Sequence, residues 1–329
     1  MAERIVFEGK GELEVETFEP PAIGQGQVAV RSLYSLISTG TETIVLNRLF
    51  EAGSHWDQWV EYPFYPGYAT IGEVTEVGPG VDGLKAGQRV AMRTGHASHH
   101  VVEAGVCFTI PTSVDPKDAT WFALAKIAFM GAKAARYHLG DRVLVIGAGP
   151  VGQMSVRWAN AAGCETITVV DMIERRLEMA QRGGATHVIA RPVAEAAEEI
   201  LAANGGQPPE VVVDTTGNAA VFADALGVAA PRGRVIVLGD TGRPSQQHLT
   251  SDVIVKGLHI VGAHDSHRDA PWSDERIYGL FFSLVETGRF DLGGLITHTF
   301  RPADAKEAYA TADRKRAETM GLLFDWMAA

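Results

Sequence analysis

The sequence predicts an α/β protein with a doubly wound parallel sheet in its middle part and a β-rich domain before it. Three observations predict this arrangement. Short strand patterns separated by Gly and Pro turns fill the first 120 residues. Apolar strands then alternate with helical patterns, which is typical of a parallel sheet. A glycine cluster, VLVIGAGPVGQ, directly continues the first of those strands.

The bulk properties are those of an ordinary globular chain. Its 329 residues suit two domains better than one, with 46% hydrophobic and 21% charged residues. The formal net charge of −11 argues against a nucleic-acid partner. No apolar run reaches membrane-spanning length, so we expect no membrane partner. Because residues 1–16 lack the apolar core of a signal peptide, we expect a cytoplasmic protein.

The first part of the chain is predicted to be a small β domain. Strand patterns occupy 27–38, 67–78 and 87–94. The composition becomes helical from 118 to 138 and this pattern stops at Gly140. We therefore divide the chain into three segments, which are 1–118, 119–263 and 264–329.

The middle segment alternates strands with helices. Parallel strands need a crossover between them, so this order suits a doubly wound sheet. The predicted strands are 143–146, 166–170, 186–190, 210–216, 233–239 and 258–263. The predicted helices are 150–162, 174–182, 193–203 and 219–229, and two more follow at 272–287 and 303–312.

The glycine cluster predicts a dinucleotide site. A lone G-x-G-x-x-G is weak evidence, but here it lies between a strand and a helix. Gly147 permits a tight turn, Gly149 lets the backbone approach a pyrophosphate, and Gly152 allows close helix–strand packing. The helix that opens with Pro150 and Val151 presents free N–H groups to phosphates. The alternative is a tight turn that binds no ligand.

An acidic residue at the end of the next strand favours NAD over NADP. Asp171 lies 19 positions after Gly152, where a carboxylate can accept hydrogen bonds from the ribose hydroxyls and repel a 2′-phosphate. Arg175 and Arg176 argue the other way, since they could hold that phosphate. They could also lie on a solvated helix face or stack on the adenine. We predict NAD as the cofactor.

The sequence resembles the medium-chain dehydrogenase/reductase superfamily. The segment LGDRVLVIGAGPVGQMSVRWANAAG is similar to sorbitol and threonine dehydrogenases, and STGTE with PGY resembles relatives of bacteriochlorophyllide a dehydrogenase. The resemblance implies a GroES-like β-barrel catalytic domain, a Rossmann domain and an active site between them. It also implies hydride transfer to or from a nicotinamide.

The zinc ligands of that superfamily have no good counterparts in this chain. Ser38 or Thr39 stands where zinc-dependent members have Cys, Tyr68 stands where they have His, and an ungapped count places Phe122 or Ala123 at the third ligand. Hydroxyl, phenol and hydrocarbon cannot replace thiolate and imidazole. Two cysteines, Cys107 and Cys164, are also too few for a four-cysteine zinc lobe. We predict no metal.

Without zinc, another group must move the proton. The resemblance puts Tyr68 in the cleft and Lys126 at a position that touches the nicotinamide, and burial in an apolar helix would lower the pKa of Lys126. We hypothesise that Lys126 with Tyr68 is the general acid/base. Thr41 and Ser38 would relay the proton. The alternative is that Lys126 extends to the surface and Tyr68 only packs.

Further candidates lie at strand ends and among the histidines. Strand alternation would put His96 and His100 on one face, with His96 nearest the cleft as a substrate contact or proton shuttle. His264 and His267 follow the last strand, an edge that forms a subunit contact in many relatives. Cofactor contacts are also expected from Thr215, Thr216, Gly217, Leu238, Gly239 and Asp240.

These inferences converge on one function with two rivals. The favoured reading is a zinc-independent NAD-dependent oxidoreductase acting on a secondary alcohol or ketone that resembles a sugar or polyol. The rivals are an NAD(P)H-dependent quinone or enone reductase and a non-catalytic nucleotide-binding sensor. The expected partners are a small-molecule substrate and further copies of the chain, as a homodimer or homotetramer.

Overall fold

The computed structural model describes residues 1–267 and 271–328. The strands are β1 Ala2–Gly9, β2 Glu12–Phe18, β3 Gln27–Leu36, β4 Thr70–Val77, β5 Arg89–Met92, β6 His99–Glu103, β7 Phe108–Thr109, β8 Arg142–Ile146, β9 Thr166–Val170, β10 His187–Ile189, β11 Val211–Asp214, β12 Arg234–Val237, β13 His259–Gly262, β14 Ile296–Phe300 and β15 Gly321–Asp325. The helices are α1 Thr39–Asn47, α2 His55–Trp59, α3 Pro116–Ala119, α4 Phe122–Ala135, α5 Pro150–Ala161, α6 Glu174–Arg182, α7 Ala197–Ala203, α8 Ala219–Val228, α9 Asp252–Lys256, α10 Asp274–Glu286 and α11 Ala305–Arg314. Short 3₁₀ turns join some of them.

The middle segment forms a six-stranded parallel sheet. Its strand order is β10-β9-β8-β11-β12-β13, so the order reverses between β8 and β11. The central strands β8, β9 and β11 are almost entirely buried and rich in Val and Ile, because helices cover both faces. This is the doubly wound arrangement, and the prediction of a Rossmann sheet is confirmed.

The first part of the chain and its last strands share a second sheet. Its order is β14-β15-β3-β4-β5-β7, with β6 paired to β3, while β1 and β2 form a separate hairpin. β15 pairs antiparallel with β3, so the chain end completes the first domain. The α/β class with a GroES-like first domain is confirmed.

The segment after β13 serves both parts of the molecule. Its strands β14 and β15 join the first sheet, whereas α10 packs along α4 beside the parallel sheet. The indole N–H of Trp158 in α5 donates to the carbonyl of Ala125 at 2.8 Å and so fixes α4 to the Rossmann helices. Within the residues that the structure describes, no helix combines the length and apolar character needed to span a bilayer.

Candidate active site

The glycine-rich loop lies between β8 and α5. Gly147 has a φ of +90°, a conformation that glycine adopts without strain. A Cβ on Gly152 would lie 1.9 Å from the carbonyl oxygen of Gly147, so loop and helix touch through backbone alone. A Cβ on Gly149 would meet nothing closer than Arg176 Nη1 at 3.8 Å. The fold itself therefore does not require glycine at position 149, which fits the approach of a ligand.

The first turn of α5 offers backbone donors at this loop. Gly149 caps the helix without any side-chain hydrogen bond, and Pro150 has no N–H to donate. The N–H groups of Val151 and Gly152 lie in the first turn, where no intrahelical acceptor exists. The loop can thus hold a pyrophosphate, as predicted from the motif.

Asp171 follows β9 and turns back toward the glycine loop. Its Oδ2 accepts a hydrogen bond from the N–H of Ala148 at 2.6 Å, and its Oδ1 accepts one from the N–H of Ile173 at 2.8 Å. Each carboxylate oxygen has a second lone pair. The group can therefore still accept hydrogen bonds from ribose hydroxyls.

The two arginines after Asp171 donate hydrogen bonds to backbone carbonyls in the segment between α11 and β15. Arg175 donates to the carbonyl of Glu318 at 3.0 Å, and Arg176 donates to that of Arg316 at 2.5 Å. Burial lowers the pKa of Arg176, an effect that the Asp171 carboxylate opposes. A 2′-phosphate would have to compete with these bonds for either guanidinium.

The loops that follow β11 and β12 are in close backbone contact at two glycines. A Cβ on Gly217 would lie 2.7 Å from the carbonyl oxygen of Asp240, and one on Gly239 would lie 2.4 Å from the nitrogen of Gly217. The hydroxyl of Thr215 donates to the carbonyl of Gly147 at 3.0 Å. The predicted cofactor contacts therefore share the carboxyl edge of the sheet, where ligands bind in this fold.

Two of those predicted contacts have side chains engaged elsewhere. The hydroxyl of Thr216 donates to Asp214 at 2.7 Å. Leu238 is 7% exposed and faces α4, where a Cβ on Gly131 would lie 2.8 Å from it. At both positions only the backbone is free to meet a cofactor.

A cavity of about 590 Å³ opens at this edge. The segment after α1 closes one side, since the N–H of Glu51 donates to the carbonyl of Gly242 at 2.9 Å. His55 Nε2 lies 2.9 Å from Asp240 Oδ2, so the Asp240 carboxylate is already paired. The cavity is lined by Leu49, Gly217, Asn218, Ala219, Ala220, Thr241, Gly242, Arg243, Gln246 and His248.

Tyr68 stands beside the start of α1. Its phenol is hydrogen-bonded to the hydroxyl of Ser38, and Thr41 Oγ1 lies 3.5 Å from the same oxygen. The ring is partly exposed and packs against the hydrophobic cluster that contains Phe122. The predicted grouping of Tyr68, Ser38 and Thr41 is therefore present in the structure.

Behind this group lies a buried polar network. Glu42 Oε1 accepts from the N–H of Ser38 at 2.7 Å, and its Oε2 accepts from Tyr309 and lies 3.0 Å from His96 Nε2. His96 Nδ1 is 2.7 Å from the hydroxyl of Ser35. The network fixes the backbone that carries Ser38.

His96 does not line the cleft, which corrects the prediction for this residue. It is 1% exposed, and both ring nitrogens are engaged within the network. The alternation argument fails because β6 begins only at His99, so His96 and His100 do not share a strand. A Cβ on Gly67 would lie 2.8 Å from the His96 ring, which therefore packs beneath the residue that precedes Tyr68.

Lys126 is buried in the interface between α4 and α10. Its side chain is 6% exposed, and its Nζ lies 2.8 Å from Asp274 Oδ1. One turn away Phe122 meets Tyr278 edge to face, with ring centroids 5.0 Å apart. Lys126 neither extends to solvent nor contacts Tyr68 in the part of the chain that the structure describes.

The sequence reasoning missed Arg93, which directly follows β5. Its guanidinium carbon lies 5.0 Å from the centroid of the Tyr68 ring. Its partner is Asp265, at 2.5 Å, in the turn after β13. No local pattern could have joined two residues so far apart in the chain.

The donors at the ligand positions do not suit zinc. Ser38 and Tyr68 offer a hydroxyl and a phenol that bind each other, and Phe122 offers no donor at all. Within residues 1–267 and 271–328, no three His, Cys, Asp or Glu side chains are grouped as a metal site would require.

Two family models match this chain. The model of the alcohol dehydrogenase GroES-like domain matches residues 24–114, and that of the zinc-binding dehydrogenase matches residues 150–274. The chain belongs to the medium-chain dehydrogenase/reductase superfamily. The predicted membership of this superfamily is thereby confirmed.

Similar members of the superfamily are alcohol dehydrogenases. L-threonine 3-dehydrogenase of Bacillus velezensis is 27% identical, with 88% of this chain and 89% of the relative covered. Sorbitol dehydrogenase of Bacillus subtilis is 26% identical, with 97% and 95% covered. These matches support an oxidoreductase that acts on alcohols.

Solved structures of the superfamily share the fold. A short chain alcohol dehydrogenase from E. coli CFT073, complexed with NADH, has a TM-score of 0.84 at 21% identity, with 98% of this chain and 99% of that one covered. Galactitol-1-phosphate dehydrogenase from E. coli has a TM-score of 0.82 at 21% identity and the same coverage. A Sinorhizobium meliloti structure with a TM-score of 0.83 at 20% identity is bound to NADP, with 99% of both chains covered. These structures show that the fold of the chain is shared over nearly its whole length.

Proposed function

We propose that this chain is a zinc-independent, NAD-dependent oxidoreductase that interconverts a secondary alcohol and a ketone. The observation that carries the proposal is the pair of Tyr68 and Ser38. A phenol and a hydroxyl are hydrogen-bonded to each other at the two positions where zinc-dependent relatives hold metal ligands. A phenol there can donate a proton to a ketone oxygen or accept one from an alcohol.

The cofactor half of the proposal rests on the glycine loop and Asp171. Gly149 leaves open space beside the first turn of α5, and Asp171 lies where ribose hydroxyls would bind. The carboxylate disfavours a 2′-phosphate, and Arg175 and Arg176 are engaged with backbone carbonyls. When bound, NAD would supply or accept the hydride.

The residues of this chain would orient the substrate oxygen and move its proton. Ser38 holds the Tyr68 phenol, and Glu42 holds the N–H of Ser38, so the donor is fixed before substrate binds. Burial raises the pKa of Tyr68. The phenol therefore stays protonated at neutral pH and suits ketone reduction there, while alcohol oxidation should accelerate as pH rises toward that pKa.

The substrate class is proposed from the relatives. Relatives named for sorbitol and D-xylulose match this chain at 26% and 28% identity. We therefore propose a polyol or a sugar-like ketone.

A turnover screen with a matched pair of variants tests this function. The protein should reduce NAD faster than NADP with secondary alcohols and polyols, and a chelator should not inhibit it. Tyr68→Phe should lower kcat by about 10²–10⁴-fold with NADH binding unchanged. The control is Tyr65→Phe, since Tyr65 is exposed and, among the described residues, its hydroxyl accepts a hydrogen bond from Arg4 alone.

Three outcomes would contradict the proposal in different ways. Activity that a chelator removes and zinc restores would reject zinc independence. Faster NADPH-linked reduction of enones or quinones would favour the reductase. Tight NAD binding without turnover of any of these substrates would favour the sensor.

A further inference from the structure

Arg93 lies beside Tyr68 and joins the two domains. Its guanidinium carbon is 5.0 Å from the centroid of the Tyr68 ring, and its Nη2 is 2.5 Å from Asp265. Its Nη1 is buried, and the Tyr278 phenol faces the same guanidinium.

We propose that Arg93 is a positioning residue that tunes proton transfer by Tyr68 through its charge. The guanidinium favours the anionic form of Tyr68 and so makes the phenol a usable proton acceptor in alcohol oxidation. This inference rests on the proposed function, in which Tyr68 moves the proton.

The groups around the phenol single out Arg93. Burial raises the pKa of Tyr68, hydrogen bonds from Ser38 and Thr41 lower it, the Glu42 carboxylate raises it and Arg93 lowers it. In the described part of the chain, Arg93 is the one cation that acts on the phenol. Its influence is the smallest of the five, and it has the sign that favours the ionised phenol, because a nearby positive charge stabilises a phenolate.

The charge of Arg93 is itself secured from the other domain. Asp265 lies in the turn after β13, and Tyr278 in α10 also faces the guanidinium. Burial lowers the pKa of Arg93, but Asp265 with the two phenols raises it by more, so the guanidinium stays charged. The cation is thus held between the strand end of one domain and the Rossmann domain.

A different role for Arg93 is a purely mechanical tether between the domains. The two roles make opposite predictions for the loss of Asp265. If the charge matters, Asp265→Asn breaks the ion pair that tethers the domains and still leaves a cation beside Tyr68. If the tether matters, Asp265→Asn should reproduce the loss of Arg93.

The test titrates Tyr68 directly. Tyrosinate absorbance is followed against pH in the full-length protein, and the curve of Tyr68→Phe is subtracted to isolate this phenol. In Arg93→Gln the midpoint should rise by about half a pH unit. In Arg93→Lys and Asp265→Asn it should stay near or below the original value. Circular dichroism at each pH confirms that the fold persists.

The pH dependence of kcat/KM provides a second test. In Arg93→Gln the pH at which kcat/KM for alcohol oxidation levels off should rise by the same amount. At pH values below that point kcat/KM should fall about threefold. An unchanged Tyr68 midpoint in Arg93→Gln, or an equal rise in Asp265→Asn, would overturn the inference. If the unaltered protein oxidises no alcohol, the proposed function fails, while the titration still decides whether Arg93 acts on Tyr68.

Discussion

Lys126 and Asp274 form an ion pair across two helices, with Nζ and Oδ1 2.8 Å apart. Aromatic contacts flank the pair along α4. Phe122 packs on Tyr278 of α10 on one side, and Phe129 packs on Trp272, just before α10, on the other. This environment explains a lysine inside an apolar helix without giving it a proton-transfer role.

Removing Lys126 should therefore cost stability more than turnover. Lys126→Met leaves the partly buried Asp274 carboxylate without this partner and should lower the free energy of unfolding by about 2 kcal/mol. Urea denaturation of Lys126→Met, Asp274→Asn and the double variant gives the coupling between the two residues. We expect kcat to change less than about threefold. A fall of 10²-fold or more at unchanged stability would instead restore Lys126 as the acid/base.

His96 provides a second contrast between structural and catalytic roles. His96→Ala should destabilise the protein by about 2–3 kcal/mol, because it opens a cavity in the core and removes one hydrogen bond each from the buried Glu42 and Ser35 side chains. KM should not change, since no substrate can reach a ring that is 1% exposed. Thermal and urea unfolding measure the effect, and His99→Ala is the control because His99 is exposed. A raised KM with full stability would show that the ring meets substrate after all.

The sequence predicted the parts of the fold that depend on local patterns. Runs of Val and Ile predicted β8, β9 and β11. The glycine motif identified β8 as the first strand of the parallel sheet. Tyr68 and Ser38 were found because a family motif stands at each of them. These signals lie within a few residues of the feature they predict.

The contacts that the sequence missed join distant segments. Arg93 and Asp265 are brought together only by the docking of the two domains, and Lys126 and Asp274 only by the packing of α10 on α4. His96 was misplaced because alternation was extended past the start of β6. No pattern within one segment carries such information.

The glycine loop allows a stability effect to be separated from a binding effect. Gly152→Ala should prevent the loop from closing, because its Cβ would lie 1.9 Å from the carbonyl oxygen of Gly147. Gly149→Ala has open space and should fold with nearly unchanged stability, yet lose NADH affinity about 10-fold or more as its methyl faces the pyrophosphate. Melting curves and NADH fluorescence titrations report the two properties. Equal NADH affinity in Gly149→Ala would place the phosphates elsewhere.

Asp171 should decide between the two nicotinamide cofactors. Asp171→Asn weakens the hydrogen bonds to ribose hydroxyls and removes the charge that repels a 2′-phosphate. We expect the Kd for NADH to rise about 10-fold while that for NADPH falls or stays constant. Isothermal titration of both cofactors measures the ratio, and Glu174→Gln, a nearby exposed carboxylate, is the control. A chain that already prefers NADPH would contradict the assignment at the outset.

The free edge of the Rossmann sheet predicts how copies of the chain associate. Among the described residues β13 pairs only with β12, and in α9, shortly before β13 in the chain, Ile254 and Val255 are 88% and 81% exposed. An unpaired strand edge can pair with another chain, so we propose that two copies join there as a homodimer. Ile254→Lys with Val255→Lys should halve the mass measured by light scattering. Leu139→Lys, at an equally exposed site after α4, should leave the mass unchanged. A dimer that survives the paired substitution would have to form through another face, because two buried, unpaired lysines cannot be accommodated in a dry contact.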